Sequence, residues 1–159
     1  MIRKFASILL ALAMVLCFAS CDNNANGADD TLYETVTNQT ATANVYLTFV
    51  QVDGETGEET PLIANSAFEV TANSPSDLTV LYVFINFMAS HEFLFTLNDN
   101  ATGITSALNI DNTADKYWTC VVKQDGGQDI DLADLGNVFN ITTVKNGDHL
   151  IFKYVDRPQ

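Results

Sequence analysis

Hydrophobic and polar positions alternate along much of this chain, and the alternation marks where it folds. Val45, Leu47 and Phe49 interleave with Asn44, Tyr46 and Thr48, a period-two pattern that predicts a strand running to Val52. Asp53 to Glu59 sets two glycines among acidic residues and reads as a turn. Leu62 and Ile63 resume the extended pattern through Phe68 and Val70, so the two segments predict a β-hairpin with a long acidic loop. Asn73-Ser74-Pro75-Ser76-Asp77 joins capping side chains, a proline and an early acid, a helix-start signal. Leu78, Leu81, Tyr82, Ile85 and Met88 then recur at helical spacing. Val80, Val83 and Phe84 suit a strand equally well; the length of the run favours a helix, buried on most of its circumference.

The second half predicts short strands. Phe93, Phe95 and Leu97 alternate, Asn98 to Gly103 turns, and Ile104 to Ile110 is one further extended piece. Tyr117 to Lys123 alternates cleanly, with Trp118, Cys120 and Val122 on one side and Tyr117, Thr119 and Val121 on the other. Asp125-Gly126-Gly127 is a turn, Asp129 to Leu135 suits one helical turn, and Val138 to Val144 is extended. After a Lys145–Asp148 turn, His149 to Val155 is the last strand, with Leu150, Phe152 and Tyr154 on one face. Hairpin, helix and then several strands predict an α+β domain, a mixed sheet covered by one helix.

The N-terminus follows a different rule. Arg3 and Lys4 precede Phe5 to Ala19, a run without charge, and Ala19 and Ser20 are small residues before Cys21. These are the parts of a secretory signal. With cysteine just past the cut, Phe18-Ala19-Ser20-Cys21 resembles the lipobox of a bacterial lipoprotein, Phe18 standing where Leu is usual. The resemblance implies a diacylglyceryl group on the Cys21 thiol and cleavage before it. The alternative is an ordinary cleaved signal peptide. A spanning helix needs about 20 apolar residues, and here Asp22 ends the run too early. The expected organisation is a signal peptide (1–20), a flexible tether rich in Asn, Asp, Thr, Gly and Ala (21–41), a domain (42–155) and a tail (156–159). The expected address is the cell envelope, anchored by lipid on the extracytoplasmic side of a bacterial membrane. Acyl chains buried at about 0.8 kcal/mol per methylene make a two-chain anchor stable.

Charge narrows the partners. The chain has seven basic and twenty acidic residues, a net charge of −13. Loss of Arg3 and Lys4 leaves five basic residues against twenty acids, or −15. Nucleic-acid binding needs Lys and Arg to neutralise phosphates, and adsorption to an anionic bilayer needs them too. Membrane contact is therefore expected through the Cys21 lipid alone. Of the three cysteines, Cys17 leaves with the signal and Cys21 is acylated, so Cys120 has no disulfide partner within the processed chain. The fold must rest on its core.

The strings Ile104-Thr105-Ser106, Tyr117-Trp118 leading to Asp125-Gly126, and Gly147-Asp148 before a strand with Tyr154 resemble the DUF4430, or transcobalamin-like C-terminal, domain family. The resemblance covers about Thr42 to Val155 and implies a β-grasp fold. It also implies a ligand class, because in animal cobalamin carriers the related domain closes over one face of a corrinoid. In bacteria such domains occur in secreted, lipid-anchored and wall-attached proteins.

Few residues suggest chemistry. His91 and His149 are the only histidines, and His91-Glu92 has no second histidine at zinc-protease spacing. Cys120 lies mid-strand, where cysteine usually acts as a small buried hydrophobe. Asn98 to Gly103 resembles the start of a calcium loop, but position twelve is Asn109 and the first ligand is neutral. The acidic stretches Asp53–Glu59 and Asp125–Asp134 read as solvated turns. Tyr117 and Trp118 are the candidate ligand-binding residues, since aromatic faces suit a flat ring or a sugar, while Trp118 equally suits the core. No catalytic pair emerges, and no cofactor or metal is expected. The expected function is a lipid-anchored extracytoplasmic binding module for a small ligand such as cobalamin or another corrinoid. The alternative is a structural or adhesive envelope protein that binds protein or glycan.

Overall fold

Ala41–Val52 (β1) and Glu59–Ala72 (β2) form the expected antiparallel hairpin in the computed structural model, which describes residues 40–133 and 138–158. The expected signal peptide, Cys21 and the tether up to residue 39 lie outside the described residues. Alternation works as read: Val45, Leu47 and Phe49 are buried on one face of β1 while Tyr46 is exposed on the other. The hairpin is bent by a bulge near Asn65, whose φ is 44° and whose N–H donates to Thr48 Oγ1 at 3.0 Å.

A short 3-10 turn, Pro75–Asp77, leads to helix α1, Val80–Ser90. The cap is Thr79 rather than Asn73 or Ser74; its side chain accepts from the Tyr82 N–H at 3.2 Å. Leu78, expected inside the helix, instead gives its carbonyl to the Val144 N–H at 2.7 Å. Val80, Leu81, Val83, Phe84, Phe87 and Met88 are buried, so the helix is covered on most sides as predicted. It ends at a Schellman motif, in which Phe93 N–H donates to Met88 O at 2.9 Å and Glu92 N–H to Ala89 O at 3.2 Å.

Three short strands follow: Phe95–Leu97 (β3), Ile104–Ala107 (β4) and Ile110–Asp111 (β5), paired in that order as a small antiparallel sheet. Ile104 to Ile110 is therefore two strands and not one. Leu108 and Asn109, with φ of 53° and 63°, form a two-residue turn of the kind that demands positive φ at both positions. The chain then enters Lys116–Lys123 (β6), Ile130–Asp131 (β7) and His149–Asp156 (β8). Of the expected helical turn, Asp129 to Leu135, Ile130 and Asp131 form strand β7 instead, pairing with Val121 and Val122, while residues 134–135 lie outside the described residues. Val138 to Val144 is not a strand; it crosses back as an irregular segment that touches Thr79 through Thr143 and buries Phe139.

The large sheet has the order β2-β1-β8-β6-β7, with β1 and β8 parallel at its centre and every other pair antiparallel. A mixed sheet whose parallel β1–β8 pair is flanked by antiparallel β2 and β6, with one helix packed against it, is a β-grasp-like α+β fold. Phe49 holds the centre of the core. Its ring stacks on Phe152 at 4.8 Å and on Phe87 at 5.8 Å, and meets Trp118 edge-on at 6.1 Å.

Candidate functional site

The two aromatic residues singled out in the sequence do not come together. Neighbours in a strand point to opposite faces, so Trp118 enters the core beside Phe49 while Tyr117 faces the other way. Trp118 is 0% exposed and donates its indole N–H to the Ile110 carbonyl. Tyr117 is 8% exposed, with the Arg157 guanidinium 4.9 Å from its ring centre. Neither ring offers an open face in this conformation.

The reactive side chains are engaged within the domain. Cys120 is buried on the core face of β6, and burial pushes its thiol well above the usual cysteine range, away from the nucleophilic thiolate. His149 sits on the opposite face of the sheet, out of reach as a base for Cys120, and its Nε2 pairs with Thr48 Oγ1 at 2.8 Å. His91 stacks on Phe93 at 5.6 Å and packs on Phe87. Asn98, the head of the calcium-like loop, spends its oxygen on the Thr102 and Gly103 N–H groups at 2.8 and 3.3 Å. Asp53 likewise accepts from the Glu55 and Thr56 backbone and the Thr56 hydroxyl, and those bonds hold its carboxyl below the usual range. Among the described residues no three His, Cys, Asp or Glu groups cluster to hold a metal.

A different place has polar groups to spare. The chain leaves β2 at Asn73, turns through Pro75–Asp77, and starts α1 beside the returning segment at Asn140. Between them lies an open groove of about 400 Å³ lined by Asn73, Ser76, Asp77, Thr79, Leu81, Tyr82, Ile85 and Asn140. Its walls are held by the backbone. Val80 and Leu81 N–H donate to the carbonyls of Thr142 and Phe139 at 2.9 and 3.0 Å, and Val83 N–H to Thr79 O at 3.0 Å. With Tyr82 N–H on Thr79 Oγ1, the first four helical donors are all used. Tyr82 is fixed in orientation because its hydroxyl donates to Thr71 O at 2.9 Å. By contrast, the exposed side chains of Asn73, Asp77 and Asn140 make no hydrogen bond to another described residue. A second hollow, between Asp115 and Pro158, lacks the aliphatic and aromatic floor that Leu81, Tyr82 and Ile85 supply here.

Sequence reading missed this groove because Asn73 to Asp77 reads as a helix start, and nothing local announces that Asn140 returns to the same place. The usable signal was the excess of capping residues: only Thr79 caps the helix, which leaves Asn73 and Asp77 for other work.

No protein-family model and no curated protein matches the chain. Among solved structures the chain is similar to one described as haptocorrin in complex with Cbi, with a TM-score of 0.46 and 14% identity. The similarity covers 74% of this chain and 26% of that one, so the chain spans about a quarter of that structure's length.

Proposed function

We propose that this protein is a lipid-anchored binding module on the extracytoplasmic side of a bacterial membrane, and that its β-grasp-like domain takes a ligand in the groove between Asn73 and Asn140. Support for the address comes from the basic start, the uncharged run and the lipobox-like Phe18-Ala19-Ser20-Cys21. The observation that carries the binding reading is the contrast between engaged and unengaged polar groups. His91, Asn98 and His149 have hydrogen-bond partners within the domain, whereas the side chains of Asn73, Asp77 and Asn140 line a partly apolar hollow without one among the described residues. An open groove with a few polar groups beside an apolar floor suits recognition. Catalysis needs in addition a nucleophile or acid–base pair in mutual reach, and among the described residues the buried thiol of Cys120 has no histidine within reach, since His149 lies on the opposite face of the sheet.

The specific ligand named by the DUF4430 resemblance is a corrinoid, and its support is the Ile104–Ser106, Tyr117–Trp118, Asp125–Gly126 and Gly147–Asp148 strings alone. Two measurements test these statements. Cells fed labelled palmitate should label the wild-type chain and not Cys21→Ser; equal labelling of both, or of neither, removes the anchor. Purified full chain titrated with cobalamin and related corrinoids should change their absorbance if a corrinoid is the ligand. No spectral or calorimetric change at high concentration removes that ligand and leaves the groove to another.

A further inference from the structure

We infer that the groove is a subsite for a neutral sugar unit of a polysaccharide, an inference that rests on the binding-module reading and narrows its ligand. The groove lies at a helix start, where anions usually bind because free N–H groups and the helix dipole attract them. Here those groups are not free: Val80, Leu81, Tyr82 and Val83 all donate within the protein. Asp77 adds a carboxylate to the lining, in a chain that already carries −13. Phosphate, sulfate and uronic-acid groups are therefore repelled without compensation.

A metal ion fits no better. Among the described residues Asp77 is the only acid in the lining, and a hard cation takes about six to eight oxygen ligands, of which carboxylates carry the charge. A large flat apolar ring would have only Leu81, Tyr82 and Ile85 to lie on, and would cover Asn73, Ser76, Asp77 and Asn140 without pairing them. A sugar unit meets each demand. Its hydroxyls both donate and accept, which matches two carboxamides that do the same and a carboxylate that accepts. Its C–H surface suits the fixed Tyr82 and the Ile85 side chain. The volume, about 400 Å³, lies near the small end of ligand pockets, which run from about 300 to 1,000 Å³.

The test uses the full chain in a detergent without a sugar headgroup. It is titrated with maltotetraose, cellotetraose and N-acetylchitotetraose as neutral probes and with tetragalacturonic acid as the charged one, read by calorimetry and saturation-transfer NMR. At least one neutral probe should bind and the acid should not. Asn73→Ala and Asn140→Ala should each weaken that binding about tenfold, the worth of one hydrogen bond. Asp77→Asn should admit the charged probe. Both asparagines and Asp77 are exposed, so these variants should melt like the wild type. Absence of neutral-probe binding at millimolar concentration, or binding indifferent to both asparagine variants, overturns the inference. Asn140→Trp, which fills the groove, separates that failure from failure of the broader reading. If no sugar binds and Asn140→Trp loses material captured from native envelope, only the sugar class is wrong. If Asn140→Trp captures as well as the wild type, the groove itself is not the site.

Discussion

Trp118 donates its indole N–H to the carbonyl oxygen of Ile110 at 2.9 Å, and this bond fastens the small sheet to the large one. The attachment continues nearby. The Trp118 N–H donates to Asn112 Oδ1 at 2.9 Å, and the Tyr154 hydroxyl to Asp111 O at 2.8 Å. Trp118 is thus a core residue with a polar tip turned to structural use. Trp118→Phe should cost about 2–4 kcal/mol, from lost volume plus an orphaned Ile110 carbonyl, and Tyr154→Phe about 1 kcal/mol. Urea unfolding reads both. A Trp118→Phe protein as stable as wild type would show that the small sheet is held by other contacts.

Thr119 presents the opposite case. It is 4% exposed and its hydroxyl has no hydrogen-bond partner among the described residues. An unpaired buried hydroxyl costs about 1–3 kcal/mol, and valine has nearly the same shape. Thr119→Val should raise the urea midpoint, by about 1 kcal/mol in stability, with the denaturant slope unchanged. A drop in stability would mean that the hydroxyl is paired in solution.

Glu92 stops α1 with a φ of 57°, at the place where glycine is favoured because it has no Cβ to clash. Glu92→Gly should stabilise the domain by about 0.5–1 kcal/mol, visible as a higher melting temperature. The same change at Asn86, mid-helix, should destabilise it by a similar amount.

His149 makes stability depend on pH. Partial burial, and then the nearby Lys123 charge, lower its pKa from the ordinary 6.5. The unfolded chain therefore takes up a proton at a higher pH than the folded one. Stability from this residue is complete above pH 6.5 and declines as pH falls from there toward the folded value. His149→Gln does not titrate, so the difference between wild type and variant should be flat above neutrality and shrink below it. A difference that grows on acidification would reverse the sign of the shift.

The first and last strands were legible because each has one buried and one less buried side, and a period of two shows at once in Val45-Leu47-Phe49 and Leu150-Phe152-Tyr154. The helix, buried on most sides, was legible by the length of its apolar run. What misled was structure without a period. Ile104 to Ile110 is apolar enough to look continuous, and only the backbone at Leu108 and Asn109 reveals the reversal. Ile130 and Asp131 are too few to show alternation; β6 recruits them into the sheet. Phe139 is buried from an irregular segment because α1 and that segment exchange hydrogen bonds.

Sequence alone determined the α+β character, the apolar residues of the core and the net charge of −13, because these depend on side-chain type and local repeat. Tertiary structure decided which aromatic residues are spent on packing and which polar groups are left over. Asn73 and Asn140 stand 67 positions apart in the sequence and share a groove only because the chain returns across the start of α1. Proximity of that kind is made by long-range backbone pairing, which no local pattern encodes.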